Sequence, residues 1–461
     1  MKKFTKIIIC LMLCVMSVCL VACNNGSDKD KNFNYPSASG AVSGNGGLAV
    51  RKGNCLYFVN GYQNAKDMQK QNDSYVLGSL MIAEIDENGN VKTDENGIMK
   101  NDYINTMTDK LCGFEATGLF IGGDYLYFTS PSQENESEKD EETNEFPWAK
   151  DRVEFYRIKL NKSSKPEKVY QSTVSYENLT FKYYYVHGKT YILAHEAGES
   201  KDSSAKDAIV RIDANAQSSS VVKEDVANYI FADDADKIFY SFSNDNLYQL
   251  NQYNVVTNTS TEFTAMEENF KLVDVKANRV FISYETTIIN ASTNLHVAEI
   301  APKGAFAMSI TGIQNFDKTY ISDDGNYFVG IKGNKIKVEK ISTSINKNKV
   351  TDEDAESLTY IGIVGGKLVY VDNNNIIKSF SFFNYAENDE TEIKEIAKVE
   401  GIETTYFDLD ENYVYFYKIV NSKKYLHRVN LNATYVEDET NDQMIGVYLD
   451  GDAPEIEEKE E

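Results

Sequence analysis

The sequence predicts an all-β fold, and within that class a β-propeller. Three observations carry the prediction. A polar turn followed by an aromatic-rich strand recurs eight times, the copies follow one another at near-regular spacing, and stretches with helical periodicity are scarce.

The unit is clearest in Gly122-Gly123-Asp124-Tyr125-Leu126-Tyr127-Phe128. Glycine and aspartate suit a tight turn, and the following residues can alternate between two faces of a sheet. Equivalent copies run from Gly53 to Phe58, Gly123 to Phe128, His187 to Ile192, Ala235 to Tyr240, Ala277 to Ile282, Asp324 to Val329, Gly365 to Tyr370 and Asp410 to Phe416.

The anchor residues Tyr57, Tyr127, Tyr191, Phe239, Phe281, Phe328, Val369 and Tyr415 are 70, 64, 48, 42, 47, 41 and 46 residues apart. Most of these intervals match the roughly 40–50 residues of a four-stranded blade. A second run follows most copies: 79–86, 154–161, 208–215, 246–251 and 425–432, rich in β-branched and aromatic residues and several ending on Asn or Asp. One such blade cannot cover both of its faces, so blades must stack around an axis. The reading is eight blades of four antiparallel strands, with seven as the alternative if the first and last repeats merge into one closing blade.

In chain order, residues 1–22 read as targeting. Lys2, Lys3 and Lys6 precede an apolar run from Ile7 to Val21, and Leu20-Val21-Ala22-Cys23 ends it with a small residue before cysteine. This is a bacterial lipobox, and it resembles the lipoprotein signal peptide of bacteria. That resemblance implies cleavage before Cys23 and lipidation of its sulfur, so the chain is expected on the extracytoplasmic side of the cell membrane. The apolar run is short for a spanning helix.

Residues 23–47 read as the lipidated cysteine and a polar tether. The propeller is expected over 48–450, and 451–461 as an acidic disordered tail. Met444 to Leu449 is a candidate for the last strand of the ring, with the N-terminal segment as the alternative clasp.

Two insertions lengthen the first repeats. Residues 86–90 and 94–97 look briefly like a calcium loop, but Val91 occupies the sixth position, where such a loop needs glycine. Asn-Gly turns are the reading instead. Residues 132–145 form an acidic run read as a solvated excursion, and Trp148, the single tryptophan, marks where it rejoins the blade. Trp148 is the one binding candidate the sequence nominates.

Paired carboxylates recur at Asp233, Asp234 and Asp236, at Asp323 and Asp324, and at Asp408 and Asp410. Because they precede aromatic strands at equivalent places, they read as turn residues and not as a converging acid pair. The run Ser322-Asp323-Asp324-Gly325-Asn326-Tyr327-Phe328 resembles the repeat of TolB-type propellers. Together with the lipobox, the whole chain resembles β-propeller lipoproteins of low-GC Gram-positive, clostridial-type bacteria. The resemblance implies fold and location and brings no catalytic residue.

The formal charge is −24, and loss of the three signal lysines makes it −27. Such a surface excludes nucleic acid as a natural partner. Four of the six cysteines fall in the signal or its cleavage site, leaving Cys55 and Cys112 either to pair as a disulfide or to stay reduced. His187, His195, His296 and His427 are scattered and show no ligand spacing, and no nucleophile elbow or phosphate loop is present. No cofactor or metal is expected. The function this supports is a lipid-anchored, non-catalytic binding or scaffolding module for a protein, peptide or glycan. The alternative is an extracytoplasmic hydrolase or lyase with carboxylates converging at the propeller channel.

Overall fold

Each of the eight aromatic copies forms the strand that follows the first tight turn of its own antiparallel sheet. The computed structural model describes residues 33–60, 77–92, 104–113, 118–132, 151–160, 165–198, 207–233, 236–244, 247–266, 270–286, 294–300, 318–332, 335–340, 353–354, 359–372, 374–381, 393–399, 402–420, 423–436 and 442–445. Cys23, Trp148, the acidic run 133–145 and the tail 451–461 lie outside these residues. Among them the sole helical element is a 3-10 turn, Tyr176–Asn178, and no helix is long and apolar enough to cross a membrane.

The strands form eight sheets in chain order, each taken from one contiguous stretch. The second sheet shows the pattern: Phe120–Gly122, Tyr125–Pro131, Arg152–Lys159 and Glu167–Ser175, each pairing with the next. Six sheets have four strands. The first has five, because the short strand Val42–Ser43 is added beside Ala49–Lys52, and the described part of the fifth has three. The first strands of neighbouring sheets meet, as 120–122 meets 179–186, 228–231 meets 270–276, and 359–364 meets 402–409. They therefore surround a common channel, and the sheets radiate from it as propeller blades.

Strand alternation then sends each blade's two faces to two different neighbours. Tyr127 and Phe155 pack with Tyr183, Ile192 and Ala194 of the third sheet, whereas Leu126 and Phe128 pack with residues of the first. Val369 and Val371 face the eighth sheet, and Leu368 and Tyr370 face the sixth. Seven core clusters cover the eight junctions in this way, one of them serving both sides of the first sheet. All eight anchors are buried, Phe239 being the most exposed at 5%. Burial of each such side chain contributes roughly 1.5–3 kcal/mol, so the repeat is conserved by packing demand at every junction.

Polar latches reinforce the junctions. An arginine stacks over an aromatic ring of its own sheet and donates to a backbone carbonyl of the next. Arg157 lies 4.7 Å from the Tyr125 ring and donates to Ala214 at 3.0 Å; Arg211 lies 4.5 Å from Tyr191 and donates to Val255 at 2.7 Å. Arg279 lies 5.2 Å from Phe281 and donates to Gly325 at 2.6 Å. Arg428 of the eighth sheet stacks on Tyr413 at 4.2 Å and donates to Gly89 of the first, so the same device closes the ring.

The C-terminal segment supplies the last strand of the ring, reaching Met444 of the expected 444–449 run, whose residues 446–449 lie outside the described residues, and among the described residues the N-terminal segment does not complete that blade. The last sheet takes its fourth strand from Asp442–Met444, and the N-terminal strand joins the first sheet. Closure is made by side chains: Tyr417 donates to the Val59 carbonyl at 3.0 Å, and the backbone N–H groups of Leu48 and Ala49 donate to Asp408 at 2.7 and 3.3 Å. Residues 33–47, expected to lie in the tether, are docked here. Phe33 is buried and stacks near Tyr35, and Asn34 bonds to Glu84 and Asn54, because two aromatics in this stretch extend the first sheet's core.

Candidate binding face

Antiparallel order places the turn that leads into each aromatic strand at the same end of the ring. These turns are tight: Gly53 and Asn54, Gly123 and Asp124, His187 and Gly188, Ala277 and Asn278, Gly365 and Gly366. His187, Ala277 and Asn278 take positive φ of 50°, 50° and 59°, a backbone geometry that short hairpin turns impose. Two cavities lie on this side. One, of about 420 Å³, is lined by Asp323, Gly365, Lys367, Ser379, Glu411 and Asn432 of the sixth to eighth sheets. The other, of about 630 Å³, spans the second to fifth sheets and is lined chiefly by Phe120, Tyr183, Tyr184, Tyr185, Asp233, Asp236, Lys237 and Asn278.

A chain of charges links the first strands around the channel. Lys182 and Lys276, from the third and fifth sheets, both bond to Asp233 of the fourth, and Lys276 also lies 3.4 Å from Asp323 of the sixth. Burial alone would raise the Asp233 pKa, but the two ammonium groups hold it below the usual carboxylate range. Burial would likewise lower Lys276, and its acidic neighbours Asp233, Asp274 and Asp323 keep it above the ordinary lysine value. Asp274 shows the opposite balance. Burial raises it, Asp233 adds to the rise, and the opposing Lys276 and the N–H of Val275, 2.8 Å away, do not offset it.

The carboxylates read as turn residues therefore divide. Asp324 accepts from Ser322 and from the Asn326 N–H, and Asp410 accepts from the N–H groups of Asn412 and Tyr413 at 2.7 Å each. Asp233 and Asp408 instead bridge sheets. The side chain of Asp234 lies outside the described residues. In 86–90 the Asn-Gly turn forms as expected, with Gly89 at φ 81° and Asn90 N–H on Asp86.

His195 and Glu196, adjacent in sequence, point to opposite faces of their strand. His195 pairs with Asp207 at 2.9 Å and stacks on Tyr229 at 4.3 Å, while the buried Glu196 accepts from Tyr170 and Thr173. His427 pairs with Asp442 at 2.8 Å, and His187 occupies its turn exposed. Among the described residues no group of three His, Cys, Asp or Glu is placed to hold a metal ion. Cys55 and Cys112 are both buried as free thiols, so the disulfide left open by the sequence is not formed; Cys55 Sγ donates instead to the Asn34 carbonyl at 3.4 Å.

Trp148, the sequence's binding candidate, lies outside the described residues. Tyr185, which the sequence reading passed over, is 47% exposed at the rim of the larger cavity. Strand alternation puts Tyr185 on the same face as the buried Tyr183, so the run Tyr183-Tyr184-Tyr185 carries no local signal of its exposure.

No family model matches the chain, and no curated protein matches it. Among solved structures it is similar to the β-propeller domain of the Trilobed protease from Pyrococcus furiosus, with 14% identity over 72% of this chain and 97% of that one and a TM-score of 0.43. It is also similar to the Dos1 propeller, with 12% identity over 83% and 90% and a TM-score of 0.40. TolB from Acinetobacter baumannii aligns at 11% identity over 71% and 76%, with a TM-score of 0.29. The propeller assignment itself rests on the sheet order and junction cores described above.

Proposed function

We propose that the chain is a lipid-anchored extracytoplasmic propeller that acts as a non-catalytic binding module, using the face of tight turns. The observation that carries the reading is the larger cavity: it is preformed, it is rimmed by an exposed aromatic ring, and it gathers side chains from four sheets. The lipobox at Cys23 supports the anchor and the location. The ligand class is a protein, peptide or glycan outside the cell.

The test uses the absence of reactive surface thiols among the described residues. A cysteine placed at Asn278 on the turn face, or at the 57% exposed Val221 on a blade edge, is labelled with a photo-crosslinker in intact cells. Specific adducts from position 278 and not from 221 are the expected result. Adducts from neither position, or equally from both, overturn the reading. Cys23→Ala should move the protein out of the membrane fraction, and its retention there would contradict the anchor.

A hydrolase or lyase reading draws on one observation. Asp274, held above the ordinary carboxylate range, feels the charge of Asp233, which is held below it, and such divergence is how carboxylates divide acid and base roles. If it applies, Asp274→Asn abolishes cleavage of a fluorogenic peptide or glycoside that the parent turns over.

A further inference from the structure

The geometry points to the ligand class of the larger cavity: a neutral saccharide, stacked on Tyr185 and hydrogen-bonded by Lys237 and Asn278. This inference rests on the binding-face reading above and narrows it.

The first strand of the third sheet sets the platform. Tyr183 is buried and stacks on Phe120, centroids 5.1 Å apart and planes at 13°, while Tyr184 is buried and donates to the Ala232 carbonyl at 3.0 Å. These two contacts fix both faces of the strand immediately before Tyr185. The Tyr185 ring then lies against Gly122 and Gly123 of the neighbouring sheet. A Cβ at Gly123 would stand 3.1 Å from the tyrosine hydroxyl, and one at Gly122 would stand 3.2 Å from the ring. The two glycines thus leave the space in which the ring lies, and its outer side remains open. A ring already held in place loses little freedom on binding, which makes it an effective anchor for a flat apolar surface.

Charge decides what kind of molecule that surface belongs to. Asp233 is neutralised by Lys182 and Lys276, and Asp236 accepts from the Asn254 amide at 2.9 Å. Asp236 keeps its charge, but Lys237, next to it in sequence, lines the same cavity, so the lining offers no excess of either sign to select an ionic ligand. Lys237 and Asn278 have no partner among the described residues, and they supply donors and an acceptor at the cavity edge. A wholly apolar ligand would leave both unpaired on closure, costing roughly 1–3 kcal/mol for each group. A pyranose answers both demands, with a C–H face for the ring and hydroxyls around its rim. The cavity, about 630 Å³, lies within the range of small-molecule sites.

The full chain, purified in detergent, is titrated calorimetrically with cellotetraose, chitotetraose and mannotetraose. At least one is expected to bind below about 1 mM. Tyr185→Ala should weaken that binding by about tenfold or more, Tyr185→Phe should stay within about threefold, and Lys237→Ala should weaken it measurably. Tyr185 is exposed, and circular dichroism confirms that each variant keeps its fold. Binding that survives Tyr185→Ala, or no binding of any of the three at about 10 mM, overturns the inference. If the sugars fail while position 278 still cross-links a protein, the saccharide assignment falls and the binding face stands. If both fail, both fall.

Discussion

Arg428 donates through its guanidinium to the backbone carbonyl of Gly89, joining the eighth sheet to the first. It repeats the contacts of Arg157, Arg211 and Arg279 with the sheets that follow them, so closure uses the same chemistry as propagation. Arg428 differs in being 2% exposed, and its Nε also donates to Gln443 at 2.9 Å. Arg428→Ala is expected to reduce stability by about 2–3 kcal/mol, since a charge-assisted bond and the packing on Tyr413 are lost together. Arg428→Lys should not restore it, because an ammonium lacks the planar fork that reaches both acceptors. Urea unfolding measures both. A loss no larger than that of the half-buried Arg279→Ala would show that the closing latch has no special weight.

Asp408 supplies the second closure, and its titration gives a pH signature. Burial raises its pKa from the ordinary carboxylate value to about 6, despite the N–H groups of Ala49, Leu48 and Leu409. The folded state therefore holds a proton more tightly than the unfolded chain. Its contribution is fully present below about pH 4 and is lost as pH rises through about 6, on the order of 2–3 kcal/mol. In thermal unfolding between pH 4 and 7 the stability of the parent relative to Asp408→Asn should fall as pH rises, since the variant lacks only this titration. A difference that stays flat or rises across the window would contradict the assignment.

The same carboxylate explains Gly47. A Cβ there would lie 2.0 Å from Asp408 Oδ2. Gly47→Ala should destabilise the ring by about 2 kcal/mol or more, and the double variant with Asp408→Ala should lose less than the sum of the two single losses. Strict additivity would mean that the two sites do not meet.

How much of this was readable in advance follows from which interactions are periodic. The eight anchors, from Tyr57 to Tyr415, lie on equivalent strands and are all buried, because period-two alternation and a tight turn are local properties of a sequence. The runs 154–161, 208–215 and 425–432 were recognised as strands, yet the arginine in each went unremarked. Phe155-Tyr156-Arg157-Ile158, Ile209-Val210-Arg211-Ile212 and Leu426-His427-Arg428-Val429 share one pattern, an apolar residue two places before the arginine and a β-branched residue after it. That repetition is the available signal for three of the four latches, Arg279 lying outside it. Asp408 and Asp410 differ in role although they are two residues apart: Asp410 serves its own turn, while Asp408 reaches a backbone some 360 positions away, a partner that no local pattern encodes. Tyr185 is set apart from Tyr183 and Tyr184 by the lack of side chains on a neighbouring sheet, which again is tertiary information.

Burial governs the two thiols. It raises Cys55 to about 12, with Glu84 adding to the rise, and pushes Cys112 still higher. Neither forms thiolate at neutral pH, so neither reacts readily. Native protein with the signal segment cleaved should take up Ellman's reagent only at the rate of unfolding, and both thiols should react promptly in denaturant. Fast labelling of the native state would show that the core of the first sheet opens.

The last strand, Asp442–Met444, is held by a buried triad whose pH dependence one substitution should weaken. Asp442 accepts from Lys418 at 2.9 Å and from His427 Nδ1 at 2.8 Å, and all three side chains are at most 17% exposed. Burial opposes the charge on Asp442, but His427 and Lys418 lower its pKa to about 2. Burial also lowers His427, which outweighs the attraction of Asp442, and its Nε2 is buried without a partner among the described residues. Lys418 thus carries the positive charge while the imidazole stays neutral and donates through Nδ1. Both groups have depressed folded-state pKa values, so their stabilisation is present at neutral pH. It is lost first as pH falls below about 6.5, where the unfolded histidine takes a proton, and again as pH falls from about 4 towards 2. Hydrogen exchange at the Ile445 amide, which donates to Leu426, should report more frequent opening at pH 5 than at pH 7.5 once intrinsic rates are divided out. Lys418→Met removes the competing cation and leaves the Asp442 carboxylate to His427 alone. Burial still holds the histidine below its unfolded value, so its depression should lessen and the loss of protection between pH 7.5 and 5 should become shallower without changing sign. A slope identical to the parent's would mean that Lys418 has no part in keeping the imidazole neutral, and a reversed sign would mean that burial does not dominate.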